Sequence, residues 1–211
     1  MSELKTVVLI RTRHPRQNPG KPDATEYSYE WAGIVKQQFE INGWQVIDLA
    51  IDNAITSQVE SVLQDAKNEV VIFYGHGFPD CMIGQNLEAV IDLNNMSLLK
   101  NKKVYVMACW TTKELGKKAE GIVYCYLGYN QPVSFTVPYS DYLGKCVNKG
   151  ILEMLNTHSC TFEEARQEII AEYNHWIKHF KRKGIWAHWF AADLLHNCEA
   201  LRLLGDASTT L

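Results

Sequence analysis

Two short runs constrain the fold of this chain most. Val70–Tyr74 (VVIFY) is apolar throughout, and Lys103–Ala108 (KVYVMA) is apolar after its first residue. Both are too short for a buried helix. A strand turns successive side chains to opposite faces, so a run apolar at every position must be covered on both sides. Thr6–Ile10 (TVVLI) reads the same way, and Trp44–Leu49, Gly121–Leu127 and Val133–Val137 read as further strands. Helical patterns lie between them. Tyr27, Trp31, Ile34, Val35 and Phe39 fall on one helix face, stopped by Gly43. Val59, Val62, Leu63 and Ala66 form another, with Thr56 or Ser57 as its cap. Apolar strands alternating with helices predict an α/β fold, a three-layer α/β/α sandwich with a mostly parallel central sheet.

The last third reads as helix. Thr161-Phe-Glu-Glu164 is a capping box, and Ala165, Ile169, Ile170, Tyr173, Trp176, Ile177 and Phe180 follow on one side. Lys181, Arg182, Lys183 and Gly184 end that helix in the way its dipole favours. A last helix is expected over about Trp189–Leu203, before Gly205-Asp206. No Pro/Gly/Ser-rich linker and no repeat interrupts the chain, so residues 1–211 are expected to form one domain. At 211 residues the chain can bury about 70% of its unfolded surface and needs no staples.

The net charge is −3, which argues against general nucleic-acid binding. No apolar run nears the ~20 residues of a membrane helix, and the N-terminal stretch reads as no secretory signal. Six cysteines stand at 81, 109, 125, 146, 160 and 198, no two closer than 14 positions. That spacing suits free thiols in a cytoplasmic protein rather than a disulfide scaffold.

The chemistry gathers at two strand ends. VVIFY runs into Gly75-His76-Gly77, and KVYVMA runs into Cys109. If those strands are parallel neighbours, about 4.8 Å apart, the two reactive residues meet at the carboxyl edge of the sheet, where open α/β sheets bind ligands. A thiol needs a base beside it to act at neutral pH, and His76 can serve as base and then as acid. The glycines flanking His76 allow close backbone approach, and the amides of Gly77 and Cys109 can form an oxyanion hole. Glutamine-amidotransferase and papain-like arrangements place the histidine after the cysteine, the reverse of the order here.

On these residues the chain resembles the caspase-like cysteine peptidases of clan CD. It is nearest in pattern to bacterial CHAT-domain and gingipain-like members. The strand–His-Gly and strand–Ala-Cys pair stands 33 residues apart, in the family's order. IDLNNMSLLKNKKVYVMACWTT, GIVYCYLGY and AADLLHNCEALRLLGDAS resemble further family segments. The resemblance implies His76 as catalytic histidine, Cys109 as nucleophile and Gly77 as an oxyanion donor. Met107-Ala-Cys-Trp-Thr111 departs from the caspase Gln-Ala-Cys-x-Gly, and Trp110 replaces a residue that is usually polar in CHAT domains.

The resemblance also frames specificity. An acidic pocket for a basic residue before the cut would use Asp141 or Asp80. A basic pocket for aspartate would use Arg13 or Arg11. The first is the commoner bacterial choice and the one expected here. Cys81 is read as loop or pocket wall and Cys125 as core. His175 and His179, with His196 and Cys198, have a spacing that can hold zinc, but solvent-facing or packed histidines are the expectation. Lys178–Lys183 is read as a solvated helix end, and the tryptophans as core or interface.

The expected activity is that of an intracellular cysteine endopeptidase cleaving protein substrates, with no cofactor and no metal. Its partners would be that substrate and a regulatory protein, with no membrane and no directly bound nucleic acid, and a bacterial defence or stress role fits by resemblance. The other reading is a catalytically inactive caspase-like scaffold that binds partners.

Overall fold

A computed structural model describes residues 5–15 and 22–211. The strands are β1 (Thr6–Arg11), β2 (Gln45–Ala50), β3 (Val70–Tyr74), β4 (His76–Phe78), β5 (Cys81–Ile83), β6 (Ala89–Asp92), β7 (Lys103–Met107), β8 (Cys125–Tyr129) and β9 (Leu201–Gly205). The helices are α1 (Ala24–Ile41), α2 (Thr56–Leu63), α3 (Leu115–Ala119), α4 (Ser140–Asn156), α5 (Phe162–Phe180) and α6 (Ile185–Ala200).

Six strands form one sheet in the order β2-β1-β3-β7-β8-β9. All pairs are parallel except β8 with β9. Alternate side chains feed two cores. Val7, Leu9, Ile72, Tyr105 and Leu127 face one layer, which α1, α4, α5 and α6 cover. Val8, Ile10, Val71, Phe73 and Val106 face the other, under α2, α3 and the small antiparallel sheet β4-β5-β6. Each fully buried Val, Leu or Ile contributes about 1.5–3 kcal/mol, so coverage of both faces is what makes these apolar strands fold. Among the described residues no helix is long and apolar enough to cross a membrane.

Buried tyrosines tie the sheet to the helices. Tyr74 donates to Asn148 Oδ1 at 2.7 Å, and Asn148 donates to the Trp31 carbonyl at 2.9 Å, joining β3, α4 and α1. Tyr105 donates to the Val147 carbonyl at 2.6 Å. Each of these hydroxyls would cost about 1–3 kcal/mol if buried without a partner.

Several local expectations need correction. The strand placed over Gly121–Leu127 is Cys125–Tyr129, and residues 121–124 are a turn after α3. Val133–Val137 forms no strand, because side chains rather than a neighbouring strand take its backbone partners, as described below. The last helix starts earlier, at Ile185, and ends at Ala200, and Leu201–Gly205 turns into the antiparallel edge strand. A short apolar run fits either state, and here the open edge of β8 decides.

Thr56 and Ser57 sit inside the first turn of α2, with Ile55 at the cap position. Glu88 supplies the capping oxygen from across the fold, accepting from Thr56 N at 3.2 Å. Ile34 is 50% exposed and belongs to no core. Helix α4 carries a plain helical period on its buried face, with Leu143, Cys146, Val147, Ile151, Met154 and Leu155 joined there by Gly144 and Gly150. A methyl on Gly144 would sit 2.5 Å from the Trp31 indole, and one on Gly150 2.7 Å from the Ala165 carbonyl. Those glycines let α4 lie close against α1 and α5.

Candidate active site

Strands β3 and β7 are parallel neighbours, with Tyr74 opposite Met107. Pairing continues one residue further, as Gly75 N donates to the Met107 carbonyl at 3.2 Å. The chain then diverges. His76 opens β4, while Cys109 follows Ala108 off the end of β7. Both line one cavity of about 40 Å³ at the carboxyl edge of the sheet. Its other walls are Ala24, Thr25 and Ser28 from the start of α1, Met107 and Ala108, and Val133 and Phe135 from the stretch after β8.

The His76 ring is held by Asp23, which stands just before helix α1. Nε2 lies 3.0 Å from Asp23 Oδ1 and 3.3 Å from Oδ2. A carboxylate only accepts, so Nε2 carries the hydrogen, and in the neutral ring Nδ1 is the nitrogen that can take a proton. Asp23 is also the N-cap of α1, accepting from Thr25 N at 2.8 Å and Thr25 Oγ1 at 2.6 Å. Burial pushes its carboxyl up. The Thr25 hydroxyl and amide and the His76 ring outweigh that and hold it below the usual range, so it is a carboxylate at neutral pH. An Asp before a helical pattern marks a helix start, which was the only signal the sequence carried for it.

A second histidine, also unforeseen, backs the first. The His14 ring stacks on His76 with centroids 5.1 Å apart. It is 5% exposed, and its backbone N–H donates to Thr25 Oγ1 at 2.8 Å. Burial and the facing His76 lower its pKa, while Asp23 pulls weakly the other way, so His14 sits neutral behind the site.

The Cys109 thiol is raised by burial, an effect partly offset by the Val133 N–H, 3.2 Å from Sγ, and by its own amide. No hydrogen bond joins His76 to Cys109 among the described residues. Such contacts commonly tighten only when substrate is bound. Gly77 lies hard against the loop that carries Cys109. A methyl there would sit 2.6 Å from Thr111 Cγ2 and 2.7 Å from the Cys109 carbonyl oxygen. Trp110 turns the chain in the left-handed region (φ 59°) and donates its N–H to the Gln131 carbonyl at 3.2 Å.

Residues 131–136 run across Cys109 and are pinned to α6. Ser134 N donates to Asn197 Oδ1 at 2.8 Å, and Asn197 Nδ2 donates to the Ser134 carbonyl at 2.6 Å. Asp193 accepts from Ser134 Oγ at 2.8 Å and Thr136 Oγ1 at 2.9 Å. His196 Nε2 donates to the Pro132 carbonyl at 2.8 Å.

The residues expected to set specificity lie apart from this cavity. Asp141 is exposed in the first turn of α4, and Asp80 is exposed in the β4–β5 turn; neither lines it. Arg11 makes a bidentate pair with Asp48 (2.9 and 2.7 Å). Arg13 faces Glu26 at 3.7 Å and Glu30 at 3.5 Å, while its backbone clasps the Gln85 amide.

Cys81 is a poor rival nucleophile. Burial, the charge and hydrogen bond of Asp80, and Asp92 push it to about 11. Cys125 is pushed by burial to about 12. His175 and His179 flank the Trp176 ring on α5. Among the described residues no group of three or more His, Cys, Asp or Glu side chains converges as a metal set. Lys178 and Lys181–Lys183 are exposed at the α5–α6 turn, beside Trp186 (73% exposed) and Trp189 (65% exposed).

No family model and no curated protein matches the chain. Among solved structures it is similar to the Arg specific cysteine proteinase gingipain R (RGPB). That match has a TM-score of 0.66 and 11% identity, over 99% of this chain and 48% of that one. It is likewise similar to a complex of Porphyromonas gingivalis RgpB pro- and mature domains, with a TM-score of 0.60, 12% identity and the same coverage. The chain spans about half the length of these structures. The likeness establishes the fold: a mostly parallel sheet flanked by helices, the caspase-like arrangement of the gingipains.

Proposed function

We propose that the protein is a cysteine endopeptidase acting on protein substrates. The observation that carries this reading is the meeting of Cys109 and an Asp23-held His76 in one cavity at the carboxyl edge of the sheet. His76 Nδ1 takes the proton from Cys109, and the sulfur attacks the scissile carbonyl carbon. The amides of Gly77 and Cys109 receive the oxyanion. Collapse expels the amine, which takes the proton back from His76 and leaves an acyl-thioester on Cys109. Water, deprotonated by His76, then cleaves the thioester and restores the thiol. Asp23 keeps the hydrogen on Nε2 throughout and stabilises the imidazolium.

The likeness to a cysteine proteinase supports this reading at the level of the fold. The 131–136 crossing beside Cys109 fits control by a regulatory protein partner. Six unpaired cysteines suit work inside the cell. The test is a peptide library digested by the protein and by Cys109→Ala, with new N-termini read by mass spectrometry. New N-termini should arise with the wild type and fall about 10³-fold or more with Cys109→Ala. Equal signals from both proteins would overturn the proposal and favour a non-catalytic scaffold.

A further inference from the structure

The cavity beside Cys109 is small. At about 40 Å³ it holds two or three waters, far below the 300–1,000 Å³ of ordinary ligand pockets. Among the described residues no Asp, Glu, Lys or Arg lines it. Ser28 forms part of the wall, buried, with its hydroxyl turned to the Thr25 carbonyl at 3.4 Å. Phe135 closes the opposite side and is braced edge-on by Tyr27 at 5.5 Å and Trp31 at 5.8 Å.

Among the described residues the charges nearby are already engaged. Asp23 accepts from Thr25 and His76, Arg13 faces Glu26 and Glu30, and Arg11 pairs with Asp48. When the thiol attacks a peptide carbonyl, the side chain on the adjoining Cα must enter the concavity that abuts the sulfur. Among the described residues a guanidinium or ammonium would find no free carboxylate there, and a carboxylate would find no cation. A charge buried without a partner is strongly disfavoured. A leucine-sized side chain would meet Phe135.

Resting on the peptidase reading above, we propose that this site selects a small uncharged residue, alanine, glycine or serine, before the scissile bond. This differs from the arginine specificity named for the gingipain neighbour.

The test uses four tripeptidyl acyloxymethyl ketones that differ only in the last residue: alanine, leucine, aspartate or arginine. Labelling of Cys109 in the full chain is followed by mass spectrometry, with iodoacetamide as a small thiol reagent in parallel. The alanine probe should label at least tenfold faster than the other three. In Phe135→Ala, the leucine probe should gain at least tenfold relative to the alanine probe, a change that misfolding would not produce. An arginine or aspartate probe that labels fastest overturns the inference and leaves the peptidase reading standing. If iodoacetamide modifies Cys109 and no peptidyl probe does, both fall.

Discussion

One carboxylate, that of Asp23, both starts helix α1 and holds His76. It accepts from Thr25 N at 2.8 Å as the N-cap and from His76 Nε2 at 3.0 Å. The two roles separate by substitution. Asparagine caps a helix as well as aspartate does, but it carries no charge to fix the imidazole tautomer. Asp23→Asn should keep stability within about 1 kcal/mol while kcat/KM falls about 10²–10⁴-fold. Asp23→Ala should lose the same rate and about a further 1 kcal/mol of stability. Thermal melts and peptide-cleavage rates on both variants decide it, and an active Asp23→Asn enzyme would remove the carboxylate from the mechanism.

His14 makes the fold sensitive to mild acid. Burial and His76 hold its pKa below the ordinary value of about 6.5. The unfolded chain therefore takes up a proton near that pH which the folded chain does not. Stability falls as pH drops from about 6.5 toward the lower folded value. His14→Phe keeps the ring stack and removes the proton, so its melting temperature should fall less between pH 7.5 and 5.5 than that of the wild type. Parallel curves would show that His14 is not the group responsible.

Asn197 is fully buried, and both of its hydrogen bonds go to the Ser134 backbone. Asn197→Ala leaves those groups unpaired and should cost about 1–3 kcal/mol. It should also loosen residues 131–136 over Cys109. Iodoacetamide should then modify Cys109 severalfold faster under conditions where the protein stays folded, with buried Cys146 unchanged as the internal control. Unchanged Cys109 reactivity would mean that the crossing does not limit access.

Gly77 stands where no side chain fits. A methyl placed 2.7 Å from the Cys109 carbonyl oxygen must push the Cys109 loop or β4 aside. Gly77→Ala should cost about 1–3 kcal/mol. It should also slow labelling of Cys109 by a peptidyl probe more than labelling by iodoacetamide, because the displaced backbone includes the amides proposed as oxyanion donors. Equal slowing of both reagents would point to misfolding rather than to a lost oxyanion hole.

The strands that build the site were legible because they are apolar at almost every position, a pattern that only coverage on both faces explains. The α5 capping box was equally plain, with Thr161 accepting from Glu164 N and Glu164 accepting from Thr161 N. Helix α4 was legible in the same terms, with Leu143, Val147, Ile151 and Leu155 four residues apart on its buried face, although no separate helix is placed there from the sequence; its glycines serve contacts with Trp31 and Ala165. The first residues of strand β9, Leu201–Leu203, read as the end of a helix because Leu201–Gly205 is too short to show a period of its own. Trp186 and Trp189 read as core or interface, and both are exposed at the α5–α6 turn.

The sequence by itself determined that VVIFY and KVYVMA are buried strands, and that any parallel pairing of the two brings His76 and Cys109 to one edge. Strand spacing is a constant of backbone hydrogen bonding, so local pattern suffices for that much. Only the tertiary structure decided that Asp23 holds His76 from 53 positions away, and that Asn197 pins the crossing from 63 positions beyond Ser134. It also decided that Phe135 closes the cavity. Those contacts depend on where each helix lies against the sheet, and that is set by side-chain packing summed over the whole core, which no local run of residues encodes.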